Sequence, residues 1–533
     1  MTYQAEIPTV TDLLLAHTEA DRAGLLFEDQ AWSWREHVQA GADRAALAHT
    51  LLDKKERPHV GVLLDNVPEF SFLVAAAAFG GFVLVGLNPY RRGEALARDV
   101  RTADCSVVVT ENKYAPLVDG LDLGGATVHD IDSPEWAALL EAHADSPLAP
   151  VPAKPDDVLM LVFTSGTGGA PKAARCTHAK FAFPGRMLAE RFGLGHDDVV
   201  YEAMPLFHSN ALITGWSVAA ASGATLALRR SFSASGFLPD VRRFGATYAN
   251  YVGRPLSYVL STPEQADDAD NPLRLMYGNE GARRDLDRFA DRFGCHVVDA
   301  FGSTEGGLAI SRTPDTPQDA LGQLTDGVAV LDPDTGEPCP RARYANDGTV
   351  TNLQEATGEL VNTAGPGFFT GYYRDPDADA DRLRDGMYWS GDLAYVDEHG
   401  FCYFVGRAGG WLRVDGENLG TAEIERILSR HPDIAQVAVY AVPDPHVGDQ
   451  VMAAVVAGPN GLDMTRFADF LGAQDDLGPK QHPSYVRLAE DLPRTATFKV
   501  LTRQLAAEAH DCADPVWWRP DRRRPYEVFA RET

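Results

Sequence analysis

The chain predicts an α/β protein. It has a large N-terminal domain of parallel α/β subdomains plus a β-rich subdomain, followed by a small, mobile α+β lid. Three observations predict it. Apolar strands and helical patterns alternate through roughly the first 400 of 533 residues. Beyond about residue 320, turn sequences such as Asp332-Pro-Asp-Thr-Gly-Glu-Pro and Asp397-Glu-His-Gly separate short strands. A run with almost no side chains to lock it, Gly406-Arg407-Ala408-Gly409-Gly410, then precedes a helix–strand–strand–helix pattern. These breaks put the N-terminal domain at 1–406, its β-rich part at about 320–406 and the lid at 407–533.

Each element has a local reason. His59–Leu64, Ser106–Thr110, Val158–Phe163, Thr225–Leu228 and His296–Val298 are short apolar runs, so they predict buried strands. Glu36–Leu52 and Arg284–Phe293 carry helical spacing. In the lid, Thr421–Arg430 and Asp463–Leu471 predict helices, and Ile434–Val442 and Gln450–Ala457 predict strands. Phe70–Leu87 is long enough without a charge to span a bilayer. Gly80-Gly81 splits it, however, and a β-rich half follows, so a buried helix feeding a buried strand is expected.

Composition excludes several functions. A net charge of −28 repels nucleic acid and anionic membranes. Six scattered cysteines without a C-x-x-C pair suggest free thiols in a reducing cytoplasm. The N-terminus shows no secretory signal, and a cytoplasmic protein is expected, with a homodimer left open.

The run Leu161-Val-Phe-Thr-Ser-Gly-Thr-Gly-Gly-Ala-Pro-Lys172 carries the most chemistry. Gly166, Gly168 and Gly169 leave backbone N–H groups free to turn around an anion. Thr164, Ser165 and Thr167 add hydroxyl donors, and Lys172 adds a mobile cation. The expected guest is a polyphosphate. Lys172 follows a proline and precedes Ala173, so this is not a Walker A loop.

Further motifs follow in order: Met204-Pro-Leu-Phe-His-Ser-Asn210, Tyr277-Gly-Asn-Glu280, Phe301-Gly-Ser-Thr-Glu305, Ser390-Gly-Asp392, Gly406-Arg407, Arg413-Val-Asp-Gly-Glu-Asn418 and Pro493-Arg-Thr-Ala-Thr-Phe-Lys499. On these the chain resembles the adenylate-forming superfamily of acyl-CoA synthetases, adenylation domains and luciferases. Within it, the resemblance is greatest to the fatty-acid-transport-protein-like, actinobacterial fatty-acyl-CoA ligase branch.

That resemblance implies ATP, Mg²⁺ and CoA as cofactors and a carboxylic acid, fatty or aryl, as the small-molecule partner. An acyl-AMP forms with release of pyrophosphate, and CoA then takes the acyl group. It assigns ATP or AMP binding to Thr164–Gly169, meaning Thr164, Ser165, Gly166, Thr167, Gly168 and Gly169, and to Lys172. Gly278, Asn279, Glu280, Phe301, Gly302, Ser303, Thr304, Asp392 and Arg407 share that role. Phe207, His208, Ala211, Trp216, Tyr277 and Gly281 are expected around the acid, and Gly409 at the hinge. Lys499, His208 and Glu305 are the catalytic candidates.

The chemistry supports these roles. A carboxylate must meet the α-phosphate, so Lys499 supplies positive charge between two anions. Asp392 has two acceptor oxygens for ribose hydroxyls. Phe301 offers a flat face for adenine. Glu305 presents the hard oxygen that Mg²⁺ prefers. Departures exist: Gly168 stands where the loop usually has a hydroxyl, Gly410 where the hinge often has an acid, and Ala408 where it usually has leucine. They leave open an alternative, a diazotase that activates nitrite with ATP and converts an arylamine to a diazo group without CoA. A non-catalytic nucleotide sensor is a third possibility, weakened by retention of Lys499, Asp392, Arg407 and Glu305 together.

Overall fold

A computed structural model describes residues 7–52, 58–164, 171–253, 255–281, 283–313, 315–317, 319–345, 350–407, 411–414, 417–444, 448–474, 477–494, 500–520 and 524–529. The chain divides into two compact units, residues 1–309 with 366–383, and residues 310–365 with 384–533. The β-rich segment thus groups with the C-terminal residues, whereas the sequence pattern attaches it to the N-terminal domain. Within the segment, Val328–Leu331 pairs with Gly358–Asn362, which pairs with Met387–Val396, which pairs with Phe401–Arg407. The last of these strands packs against helix Thr421–Leu428, where a Cβ on Gly420 would lie 2.6 Å from Val405.

The first unit holds two mainly parallel sheets. One runs Thr127–Asp130, Val107–Thr110, His59–Leu63, Val83–Gly86, Val158–Thr164 and Lys172–Thr177. All its pairs are parallel except the last, which is an antiparallel hairpin. The other includes, side by side, His296–Gly302, Leu275–Asn279, Tyr248–Val252, Val199–Glu202, Thr225–Leu228, Ala23–Phe27 and Gln30–Ser33. The expected strand at His296–Val298 continues to Gly302 and so carries Phe301.

The charge-free stretch is a helix, Pro68–Gly80, then a strand, Val83–Gly86. Gly81 ends the helix at φ +67°, a left-handed conformation natural to glycine. No described helix is long and apolar enough to cross a membrane. Helix Trp34–Leu51 starts at a capping box: Glu36 N–H donates to Ser33 Oγ, and Ser33 N–H donates to Glu36 Oε2.

That helix carries His37, fully buried, with Nε2 2.8 Å from Ser71 Oγ. Burial first, then the nearby Arg44 and His17 charges, push its pKa down to about 3. The unfolded chain therefore takes up a proton below pH 6.5 that the folded chain refuses, and stability falls from there towards pH 3. The slope is about 1.4 kcal/mol per pH unit from this residue. In urea unfolding at pH 6.5 and pH 4.5, a His37→Asn variant is expected to lose less stability between the two conditions than the parent. Equal losses would contradict the assignment.

In the second unit, strands Ile434–Asp444, Gly448–Ala457, Tyr485–Leu488 and Val516–Trp518 form the C-terminal sheet with the hairpin Trp411–Val414/Glu417–Gly420. Helices Thr421–Leu428 and Met464–Gly472 occupy the places expected for them. Ile424, Ile427, Leu428, Phe467 and Leu471 from these helices pack on Val439, Val451 and Val455, which closes the core.

Candidate active site

Two of the phosphate-loop candidates, Thr164 and Lys172, stand at the neck of a hairpin. Val158–Thr164 and Lys172–Thr177 pair antiparallel, with Thr164 opposite Lys172. Ser165, Gly166, Thr167, Gly168 and Gly169 lie outside the described residues. The next helix begins only at His178, so no helix N-terminus follows the loop directly, unlike many phosphate sites. Lys172 Nζ lies 5.3 Å from the Tyr372 ring centroid and 3.9 Å from Asp381 Oδ2. That cation is partly exposed, so the ion pair adds little.

The Met204–Asn210 turn is held from below. Asn66 donates from Nδ2 to the Met204 carbonyl at 2.8 Å and accepts the Leu206 N–H on Oδ1 at 2.9 Å. Strand Val83–Gly86 approaches so closely that a Cβ on Gly86 would lie 2.7 Å from the Phe207 carbonyl oxygen. Phe207 is buried, and half-buried His208 leans on its ring with centroids 4.3 Å apart. Ala211 is fully buried one turn on. Trp216 is directed elsewhere: its indole N–H donates to Ser71 Oγ at 2.8 Å, on helix Pro68–Gly80.

Three strand ends complete the arrangement. Gly278 is pressed against the Tyr251 carbonyl, where a side chain would overlap backbone. Asp299 accepts the Gly281 N–H at 2.9 Å and the Tyr251 hydroxyl at 2.7 Å. Asn279 Oδ1 accepts from Asn210 Nδ2 at 2.9 Å. Glu280 sits at φ +63°, a conformation costly for a residue with a side chain. Tyr277 is buried, its ring 5.8 Å from that of Phe192. Phe301, Gly302, Ser303 and Thr304 are half-buried. Thr304 Oγ1 lies 2.8 Å from Ser209 Oγ, a bond that joins the expected adenine motif to the expected acid motif.

Glu305 is surrounded by donors. The Tyr372 hydroxyl donates to its Oε1 at 2.9 Å. Lys180, a lysine 1% exposed, donates to its main-chain carbonyl at 2.8 Å. Burial pushes the carboxyl up, but its own backbone N–H, the Tyr372 hydroxyl and the Arg382 and Lys180 charges outweigh that and hold it below the usual carboxylate value. An ionised carboxylate suits a hard cation. No cluster of three His, Cys, Asp or Glu that could hold a metal occurs among the described residues. One ionised carboxylate fits a cation such as Mg²⁺ that takes most of its other ligands from water and substrate phosphates.

In the second unit, Asp392 is 6% exposed on strand Met387–Val396. Its register partner on Phe401–Arg407 is Arg407, so two residues fifteen apart in sequence face one another across a ladder. Gly391, at φ +74° within that strand, donates its N–H to Glu359 Oε1 at 2.7 Å. Gly409 and Lys499 lie outside the described residues. Arg494 and Val500, which flank the lysine segment, pair as an antiparallel bridge.

Several contributors escaped the motif reading: Asn66, Lys180, Asn250, Asp299 and Tyr372. Each acts through a contact distant in sequence, for example 140 residues between Asn66 and Leu206.

Known proteins match over most of the chain. The profile described as AMP-binding enzyme covers residues 15–373, and the AMP-binding enzyme C-terminal domain covers 423–499. The chain is 57% identical to a medium/long-chain-fatty-acid–CoA ligase of Mycobacterium tuberculosis, over 96% of this chain and 98% of that protein. It is 46% identical to a steroid-22-oyl-CoA synthetase of Rhodococcus jostii, over 96% and 93%. ATP-bound MatB from Rhodopseudomonas palustris shares the fold, with a TM-score of 0.82 at 23% identity, over 95% of this chain and 99% of that chain. The expected acid–CoA ligase chemistry is borne out by these relatives, and the diazotase alternative finds no support among them. The chain belongs to the AMP-binding enzyme family.

Proposed function

We propose that this enzyme activates a medium- or long-chain fatty acid as its acyl-adenylate, releases pyrophosphate, and passes the acyl group to CoA. The observation that supports the reading is the Ser209–Thr304 hydrogen bond, which joins the Met204–Asn210 turn to the Phe301–Glu305 segment. A carboxylate held near His208 then approaches a nucleotide lying along Phe301–Glu305. The relative named for a medium- and long-chain substrate supports the acid class.

The residues divide the work. The Thr164–Lys172 segment cradles phosphates, and Asp392 and Arg407 hold the ribose. Glu305 would hold Mg²⁺, which when bound neutralises phosphate charge. Lys499 bridges the two anions as they join, and a turn about Gly409 removes it for the CoA step.

A steroid side-chain acid is the second reading, favoured by the relative named as a steroid-22-oyl-CoA synthetase. Pyrophosphate release and thioester formation, measured with ATP and Mg²⁺ against octanoate, palmitate, a steroid side-chain acid, benzoate and nitrite, test both. Palmitate or octanoate leading the panel supports the fatty-acid reading. Preference for the steroid acid replaces it with the second. Turnover of nitrite alone overturns acid–CoA ligation.

A further inference from the structure

Beneath the His208–Asn210 turn lies a buried polar layer that the nucleotide chemistry does not use. Glu202 ends strand Val199–Glu202 and is fully buried. Its Oε1 accepts the Met204 N–H at 2.7 Å, while Oε2 has no hydrogen-bond partner. The carboxyl tip lies against Gly215, where a Cβ would overlap Oε2. Gly215 belongs to a π-helical turn, Leu212–Trp216. Such turns are short and strained, and they persist where neighbours hold them.

The neighbours here form a chain of bonds. Asn250, 4% exposed, donates from Nδ2 to Asn210 Oδ1 at 3.1 Å and to Thr214 Oγ1 at 3.3 Å. Thr214 Oγ1 donates to the Asn210 carbonyl at 2.9 Å, and Asn210 reaches Asn279. Burial drives the Glu202 carboxyl far above its usual value, opposed only in part by the Met204 N–H and the Asn250 amide. Burial thus favours its uncharged form.

We propose that Glu202 is a positioning residue for acid binding, wedged between the Met204 amide and Gly215 so that His208 and Asn210 meet the acyl group in one fixed place. This inference rests on the ligase reading. A residue that merely holds the fold would alter every kinetic constant, or only the melting temperature. A positioning residue moves the constants for the acid selectively.

The test uses the full chain with palmitate, ATP and Mg²⁺, followed by pyrophosphate release. Glu202→Ala is expected to raise KM for the acid about tenfold and KM for ATP less than about twofold. Glu202→Gln is expected to stay within about threefold of the parent, because its amide keeps the acceptor for Met204 and stays uncharged. Gly215→Ala should mimic Glu202→Ala. The double variant should be no worse than Glu202→Ala, since the methyl then enters the vacated space. If Glu202→Ala does not fold, Glu202→Asp against Glu202→Gln gives the same comparison, aspartate being too short to reach Gly215.

Parallel increases in both KM values, or Glu202→Gln as damaging as the shortened variants, overturn the proposal and leave the ligase reading intact. A parent chain inert towards every acid in the panel overturns the ligase reading, and this inference with it.

Discussion

Replacing Lys499 by alanine is expected to abolish adenylate formation while leaving thioester formation from supplied acyl-adenylate largely unchanged. The first half-reaction joins two anions, a carboxylate and a phosphate. A cation placed between them counts only while they approach, so its effect falls on the transition state. Removing one preorganised donor of this kind costs roughly 10²–10³-fold in rate, and a full charge sits at or above the upper end. The second half-reaction exchanges an acyl-phosphate bond for a thioester and needs no cation at that position. Pyrophosphate exchange and thioester formation, assayed separately, check this. Comparable losses in both would show that the lysine serves the fold or both steps alike, and the assigned role would fall.

Glu305→Gln is expected to produce the second largest loss, about 10²-fold in adenylation, accompanied by a higher Mg²⁺ requirement. The substitution keeps the shape and the acceptor for Tyr372 but removes the charge. Tyr372, Arg382 and Lys180 depress the parent carboxyl below its ordinary value of 4.5 in spite of burial. Its stabilisation is therefore fully present above pH 4.5 and is lost as pH falls through the lower folded value. The Gln variant should lack that acid-side loss. Mg²⁺ titrations of activity at neutral pH, with urea unfolding in acid, separate the two effects. An unchanged Mg²⁺ dependence would remove Glu305 from the metal's surroundings.

The strands His59–Leu64 and Thr225–Leu228 were legible because a short apolar run between turn formers has few other destinations. The helix–strand break inside Phe70–Leu87 was legible from two glycines. The extension of His296–Val298 to Gly302 was not, because Asp299 is a poor strand former, held opposite Gly278 on the neighbouring strand Leu275–Asn279, and Gly302 is another poor strand former. Trp216, a candidate for the wall of the acid pocket, was not placed by its sequence position alone. The π-turn Leu212–Trp216 rotates it towards Ser71.

Local pattern was enough for the α/β class, the order of the elements, and the family's motifs from Thr164 to Lys499, because periodicity, glycine loops and short motifs are properties of neighbouring residues. Packing in three dimensions decided the rest: that the β-rich segment sides with the C-terminal half, that Lys180 and Tyr372 cage Glu305, and that Glu202 lies under Gly215. Those contacts join residues from 13 to 125 positions apart. They exist only because burial brings polar groups where each must find a partner or lose its charge.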